Sequence, residues 1–287
     1  MHITQLPHFT KRAFAPLGLR AQVAEALPQT LVEKWHSLSG GLTNRLWRVG
    51  DLVVKQFNVQ AQSLLFPNDP LAERSALEYL SPHGIAPEFC AAGADWLAYQ
   101  FVKGETWAQE GAPVARHLGQ LHNTLVPKGL FRDAPSGSAA LFKTAEQLFV
   151  LCKGPTPPAP LVKTLGPVKK PCLIHADMVA GNIIVGPEGL RFIDWQCPAV
   201  GDPAEDLAMF LSPAMQALYR GKPLQAAEAA DFLNAYPDQE VVKRLHELLP
   251  LFHYRMAAYC LWRAQNGFPA YKVGHDFEMA ILARLSD

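Results

Sequence analysis

A chain of 287 residues, 49% of them hydrophobic, is long enough for two separate cores, and its 26 basic and 26 acidic residues cancel to zero formal charge. That balance, without a basic stripe or an acidic tail, argues against nucleic acid or a charged macromolecule as partner. No stretch approaches 20 apolar residues free of charge, because Glu88 and Asp95 interrupt Ile85 to Val102, so membrane insertion is not expected.

In chain order, Leu19 to Leu27 predicts a short helix, and three strand-like runs follow at Leu31–Leu38, Arg45–Val49 and Leu52–Phe57. Ser39-Gly40-Gly41-Leu42-Thr43-Asn44 joins the first two, and its glycines let backbone N–H groups approach an anion closely. No Gly-x-x-x-x-Gly-Lys-Ser/Thr occurs, which argues against a P-loop. Lys55 interrupts the apolar third run and needs a partner or solvent. Pro70–Leu80 predicts a helix, with Pro70 in its first turn and Ala76, Leu77 and Leu80 on its apolar stripe; Glu73 and Glu78 both compete for Lys55. Glu88–Ala92 and Trp96–Val102 read as strands, and Lys103-Gly104-Glu105-Thr106 begins a linker.

Val114–Leu125 predicts an amphipathic helix with Leu118, Leu121 and Leu125 on one face; His117 and His122 on it read as structural. A helix at Ala139–Leu151 lies within Pro-, Gly-, Ala- and Ser-rich sequence, and Gly154–Pro160 reads as an extended spacer. From residue 204 the pattern is helical, with breaks at Ser212-Pro213 and Gly221-Lys222-Pro223; helices are expected at Ala226–Ala235, Val241–Leu249 and Phe252–Gln265.

The densest chemistry lies between. His175-Ala-Asp177-Met-Val-Ala-Gly-Asn182 is followed by Ile193-Asp194-Trp195. Ile183–Val185 and Leu190–Ile193 predict a hairpin turning at Gly186–Gly189, which brings Asn182 and Asp194 together. Two carboxylates and an amide so spaced suit metal-assisted phosphoryl transfer. Asp177 would accept the proton of an attacking hydroxyl, and Asn182 and Asp194 would hold Mg²⁺ against ATP. Downstream, Asp202 is expected to start a turn and cap a helix running through Leu207 and Phe210.

These motifs, with Gly201-Asp202-Pro203-Ala-Glu-Asp206-Leu207-Ala208, resemble the aminoglycoside phosphotransferase and choline kinase superfamily, a small-molecule branch of the kinase-like fold. The resemblance implies an α+β, bilobal protein-kinase-like fold: residues 1–103 as an N-terminal antiparallel-sheet lobe binding nucleotide and ending in the hinge, and 104–287 as a mostly helical lobe carrying the catalytic loop and acceptor pocket. It implies that Gly40, Gly41, Thr43, Asn44 and Lys55 bind the nucleotide, Lys55 paired with Glu73 rather than Glu78. Gln100, Phe101 and Val102 would form the adenine-binding hinge, His175 would pack behind the catalytic loop, and Asp206 would brace it. ATP and Mg²⁺ are the implied cofactors.

The acceptor is less explicit. Tyr259 and Trp262, at i and i+3, resemble the aromatic pair that faces trimethylammonium in choline kinases, although core packing explains them equally well. Gln196 departs from the glutamate usual after this motif in choline kinases, and it is taken as an acceptor-side residue with Asp177, Tyr259 and Trp262. Residues 245–275 hold Glu247 as their one carboxylate, a poor fit to a polycation. The expected activity is phosphorylation of a choline-, ethanolamine- or thiamine-like alcohol. An aminoglycoside, other antibiotic or sugar phosphotransferase, or a non-catalytic nucleotide-binding module, is the alternative; a protein kinase is disfavoured because no Ala-Pro-Glu follows Asp194. The first residues lack the apolar core of a signal peptide, and five scattered cysteines without a Cys-x-x-Cys pair suit reduced thiols, so a cytoplasmic location is expected.

Overall fold

The structure, a computed structural model, describes residues 14–38, 43–58 and 60–286. In chain order the elements begin with α1 (Leu17–Ala26), β1 (Trp35–Ser37), β2 (Arg45–Val49), β3 (Leu52–Gln56) and α2 (Pro70–Leu80). Next come β4 (Phe89–Ala92), β5 (Trp96–Gln100), β6 (Glu105–Thr106), α3 (Gly111–His122), β7 (Arg132–Asp133) and α4 (Ser138–Val150). The rest are β8 (Cys172–Ile174), β9 (Ile183–Gly186), β10 (Gly189–Phe192), β11 (Ala199–Gly201), α5 (Ala204–Leu211), α6 (Pro213–Arg220), α7 (Ala226–Ala235), α8 (Gln239–Gln265) and α9 (Tyr271–Ser286).

The chain forms two compact units. The first comprises residues 1–106 together with Asn182–Cys197; the second comprises Trp107–Gly181 and Pro198–Asp287. The expected division at 103/104 did not assign the β9–β10 hairpin to the first unit. Strand pairing puts it there: Glu105 and Thr106 of β6 pair with Val185 and Ile184 of β9. At that crossing Gly104 and Gly186 are obligatory, because a Cβ would meet Val185 O at 2.4 Å from the one and Lys103 O at 2.1 Å from the other.

The first unit is built on an antiparallel sheet of order β1-β2-β3-β5-β4. Trp47, Val54 and Ala98 are aligned across β2, β3 and β5, and they pack with Trp96 against Leu19 and Val23 of α1. Because side chains alternate along β3, Lys55 points to the opposite face, beside Leu97 and toward α2. Asp69 caps α2, accepting from Leu71 N–H (2.9 Å) and Ala72 N–H (3.2 Å), and Pro70 fits the first turn. The first expected strand is shorter than Leu31–Leu38, because Pro28–Leu31 turns in a 3₁₀ helix that leaves Trp35–Ser37 to pair with Trp47–Val49.

In the second unit α8 packs against α9, α4 and α5, α3 packs on α7, and β7-β11-β8 form a small sheet. The two helices expected at Val241–Leu249 and Phe252–Gln265 are one: α8 runs unbroken for 27 residues with Pro250 inside it. A proline in a helix interior costs about 3 kcal/mol. Burial of Leu245, Leu248, Leu251, Phe252, Tyr254 and Met256 around it, each contributing roughly 1.5–3 kcal/mol, outweighs that cost. Helix α3 ends at His122, so Leu125 does not share its buried face and is 87% exposed. Gly221, in the left-handed region, ends α6, and Ser212 caps its start. Among the described residues no helix is long and apolar enough to cross a membrane.

Candidate active site

In the first unit Lys55 is 1% exposed, and its ammonium donates to two carboxylates: Glu73 Oε2 at 2.5 Å and Asp194 Oδ1 in a short contact. Burial disfavours the charge on Lys55, but Asp194 and Glu73 more than offset it and raise its pKa. Glu73 is completely buried, and its Oε1 has no hydrogen-bond partner among the described residues. Desolvation therefore pushes its carboxyl up to about 7, against the pull of Lys55. Glu78, the competing residue, is half-exposed and pairs with Arg74 at 2.8 Å.

Asp194 follows β10 in the left-handed region, at φ 63°. Such a backbone costs of order 1–3 kcal/mol and persists where its surroundings fix it. Here Ile193 N–H donates to Asn182 O (2.9 Å) just before it, and Lys55 holds its carboxylate just after. The hairpin thus brings Asn182 and Asp194 to one end, an amide and a carboxylate side by side. Hard oxygens of this kind suit Mg²⁺, which keeps several waters and substrate oxygens, so two protein ligands suffice. Among the described residues no group of three or more His, Cys, Asp or Glu side chains that could hold a metal occurs.

Gly40 and Gly41 lie outside the described residues. Thr43 is half-buried ahead of β2. Asn44 and Gln196 belong instead to a buried amide cluster. Asn44 Nδ2 donates to Asn68 Oδ1 (2.9 Å) and Gln196 Oε1 (3.0 Å), while Asn44 Oδ1 accepts from Asn58 N–H (3.0 Å) and Asn68 Nδ2 (2.9 Å). Asp69 N–H also donates to Gln196 O. The side-chain oxygen of Gln196 is thus spent within the first unit, tying the end of the glycine-rich loop to the start of α2 and to the segment after Asp194. In the hinge segment, Gln100 N–H donates to Glu88 O and Phe101 N–H to Asp51 O.

In the second unit Asp177 lies on a loop whose backbone is clamped. Asp206 is wholly buried and accepts from His175 N–H and Ala176 N–H, both at 2.8 Å, and its Oδ2 also meets His122 Nε2 at 3.1 Å. Two amide bonds to one carboxylate hold Ala176 at φ 62°, a strained position for alanine. His175 Nδ1 in turn faces Asp177 N–H at 3.3 Å, and His122 Nδ1 faces Tyr236 Oη at 2.8 Å. Asp202 accepts from Ala204 N–H at the start of α5 and pairs with Arg244 at 2.6 Å. Cys172 and Cys197 offer no reactive thiol: Cys197 is buried, and burial with Asp206 and Asp202 nearby pushes the Cys172 thiol far up.

The Tyr259 and Trp262 rings lie 6.1 Å apart on α8, but Tyr259 is buried and meets Tyr271 edge-on at 5.9 Å. Sequence reasoning missed Tyr219, whose ring packs against Gly181 so closely that a Cβ there would come within 2.9 Å. It missed Tyr271 as well. Burial raises the pKa of Tyr219, Tyr259 and Tyr271, and each also feels the charge of Asp177. Neither tyrosine carries a spacing signal, since α6 and α9 meet α8 only in the folded chain.

The model of the phosphotransferase enzyme family (APH) matches residues 34–245. Among solved structures, a choline/ethanolamine kinase family protein from Mesorhizobium loti is similar at 18% identity, with 93% of each chain covered and a TM-score of 0.65. An ethanolamine kinase from Plasmodium vivax is similar at 16% identity, covering 96% of this chain and 92% of its own, with a TM-score of 0.63. The streptomycin–ATP–APH(2")-IIa ternary complex is similar at 15% identity, with 92% and 96% covered and a TM-score of 0.60. Such identities establish the kinase-like α+β fold expected from the sequence. Among curated proteins, none matches this chain in sequence.

Proposed function

Because the chain belongs to the phosphotransferase enzyme family, with about three quarters of its length matched, we propose that it transfers the γ-phosphoryl group of ATP, as its Mg²⁺ complex, to a hydroxyl of a small metabolite. The observation that carries the reading is Lys55 bonded to both Glu73 and Asp194. In kinases such a lysine neutralises nucleotide phosphates while the aspartate faces the metal. Thr43 and the glycine-rich loop would cover the phosphates, and Val102 N–H would meet adenine. Asn182 and Asp194 would hold Mg²⁺, which when bound would supply positive charge against the nucleotide phosphates.

Asp177, held by the clamped loop, accepts the proton of the acceptor hydroxyl. Positioning and charge neutralisation carry most of such a reaction. Choline-, ethanolamine- and thiamine-like alcohols are the acceptors we favour; the aromatic cluster around Tyr259 and the likeness to choline/ethanolamine kinases support them. A cytoplasmic location accords with the five free cysteines.

The test is ADP release with Mg·ATP across an alcohol panel, with Asp177→Asn as control. Alcohol-dependent turnover that falls about 10²–10⁴-fold in the variant is expected. Turnover unchanged by the variant, or ATP consumption indifferent to every alcohol, refutes it.

A further inference from the structure

Arg263 lies in the last turn of α8, one residue after Trp262 of the expected acceptor pair. Its guanidinium carbon lies 3.6 Å from the centroid of Phe268 and 5.2 Å from that of Tyr271. Its Nε is buried without a partner, and no carboxylate pairs with it among the described residues. The two carboxylates of α9 are occupied. Glu278 accepts from Ser212 Oγ and Ala214 N–H and meets His253 Nδ1 at 2.5 Å, and Asp276 pairs with Lys272. A partly buried cation without a counter-ion is costly unless something supplies the charge.

Arg263 is also linked to Asp177 through the ring cluster. Tyr271, under Arg263, meets Tyr259 edge-on and is hydrogen-bonded to Tyr219, which packs on Gly181, four residues after Asp177; the charge of Asp177 reaches all three tyrosines. The aromatic faces that would attract a ligand's ammonium are, at Phe268 and Tyr271, already taken by the chain's own cation. Stacking on two rings leaves the guanidinium fork fixed in one plane, the geometry that binds a carboxylate or phosphate through two parallel hydrogen bonds.

We infer that the acceptor alcohol carries an anionic group that Arg263 binds, making it a hydroxy amino acid or hydroxy acid rather than a plain amino alcohol. The inference rests on the phosphotransferase reading above, keeps its reaction, and replaces the cationic alcohols favoured there with an anionic acceptor. A carboxylate on the acceptor supplies the counter-charge that the fold withholds from Arg263, while its hydroxyl reaches Asp177.

Matched acceptors isolate the anion: ethanolamine against serine, and 3-amino-1-propanol against homoserine, with glycerol phosphate separating phosphate from carboxylate. In full-length protein with Mg·ATP, kcat/KM is expected to favour the anionic member of a pair by at least ~10-fold. In Arg263→Met that ratio falls toward one, mainly through KM, and Arg263→Lys, which keeps the charge without the fork, lies between. Homoserine and glycerol phosphate binding by calorimetry without ATP reads the same site apart from turnover, and it should be lost in Arg263→Met. Equal use of both members of each pair, or anion binding that Arg263→Met leaves unchanged, overturns the inference. Anion binding that depends on Arg263, with no ADP release for any alcohol, supports the anion site and refutes the kinase reading instead.

Discussion

Replacing Glu73 by glutamine tests the buried charge arrangement directly. One ammonium, on Lys55, faces two carboxylates, and the fully buried one carries the desolvation cost. The pKa of Glu73 rises from 4.5 to about 7 on folding. At about 1.4 kcal/mol per unit this is roughly 3 kcal/mol of linkage. Because the folded chain holds this proton more tightly than the unfolded one, the contribution is complete below pH 4.5 and is lost as pH rises through about 7. Glu73→Gln keeps the shape and removes the titration. Urea unfolding of nucleotide-free protein from pH 5 to 8 should therefore show wild type losing about 2–3 kcal/mol relative to the variant. Taking the difference cancels the titrating groups that lie away from Glu73. Two curves that stay parallel to within about 1 kcal/mol, or wild type gaining on the variant as pH rises, would show that Glu73 is charged throughout and that the arrangement is a simple ion pair.

Two other substitutions probe the supports. Asp206→Ala removes the acceptor of two backbone N–H groups and the restraint on Ala176, and it should cost about 3 kcal/mol in urea unfolding; a loss under about 1 kcal/mol would mean the loop holds itself. Asn44→Ala orphans Asn58 N–H and the amides of Asn68 and Gln196, and it should destabilise by about 2–4 kcal/mol while raising KM for ATP more than it lowers kcat; an unchanged KM with intact stability would separate the amide cluster from the nucleotide.

Periodicity and spacing made part of this legible. Pro70–Leu80 is a helix because its cap, its proline and its apolar stripe agree, and an alternating β3 forces Lys55 onto the face where Glu73 stands. The antiparallel hairpin 183–192 is likewise local, so the juxtaposition of Asn182 and Asp194 could be read from the chain. Tertiary choices could not. Pro250 argues for a break in any local reading, and only the packing around α8 overrides it. The bond between Asn44 and Gln196 was equally hidden, because an amide's partner is not written in its own sequence: 152 residues separate the two, and only folding joins them. Arg263, Tyr219 and Tyr271 come from three different helices and carry no shared spacing.

The first unit is stitched from two lengths of chain, and this has a consequence for synthesis. After Thr106 leaves the ribosome, about 90 further residues must follow before Cys197 is available. At ~5–20 residues per second that is a wait of roughly 5–20 s. Throughout it, β6 lacks its strand partner and Lys55 lacks Asp194, while the helices of the second unit are already emerging. The nascent chain therefore cannot assemble the Lys55–Glu73–Asp194 arrangement early: a truncated product ending near the linker would hold a lysine–glutamate pair with no aspartate beside it. Transplanting the first unit to another protein would, for the same reason, require moving two segments at once.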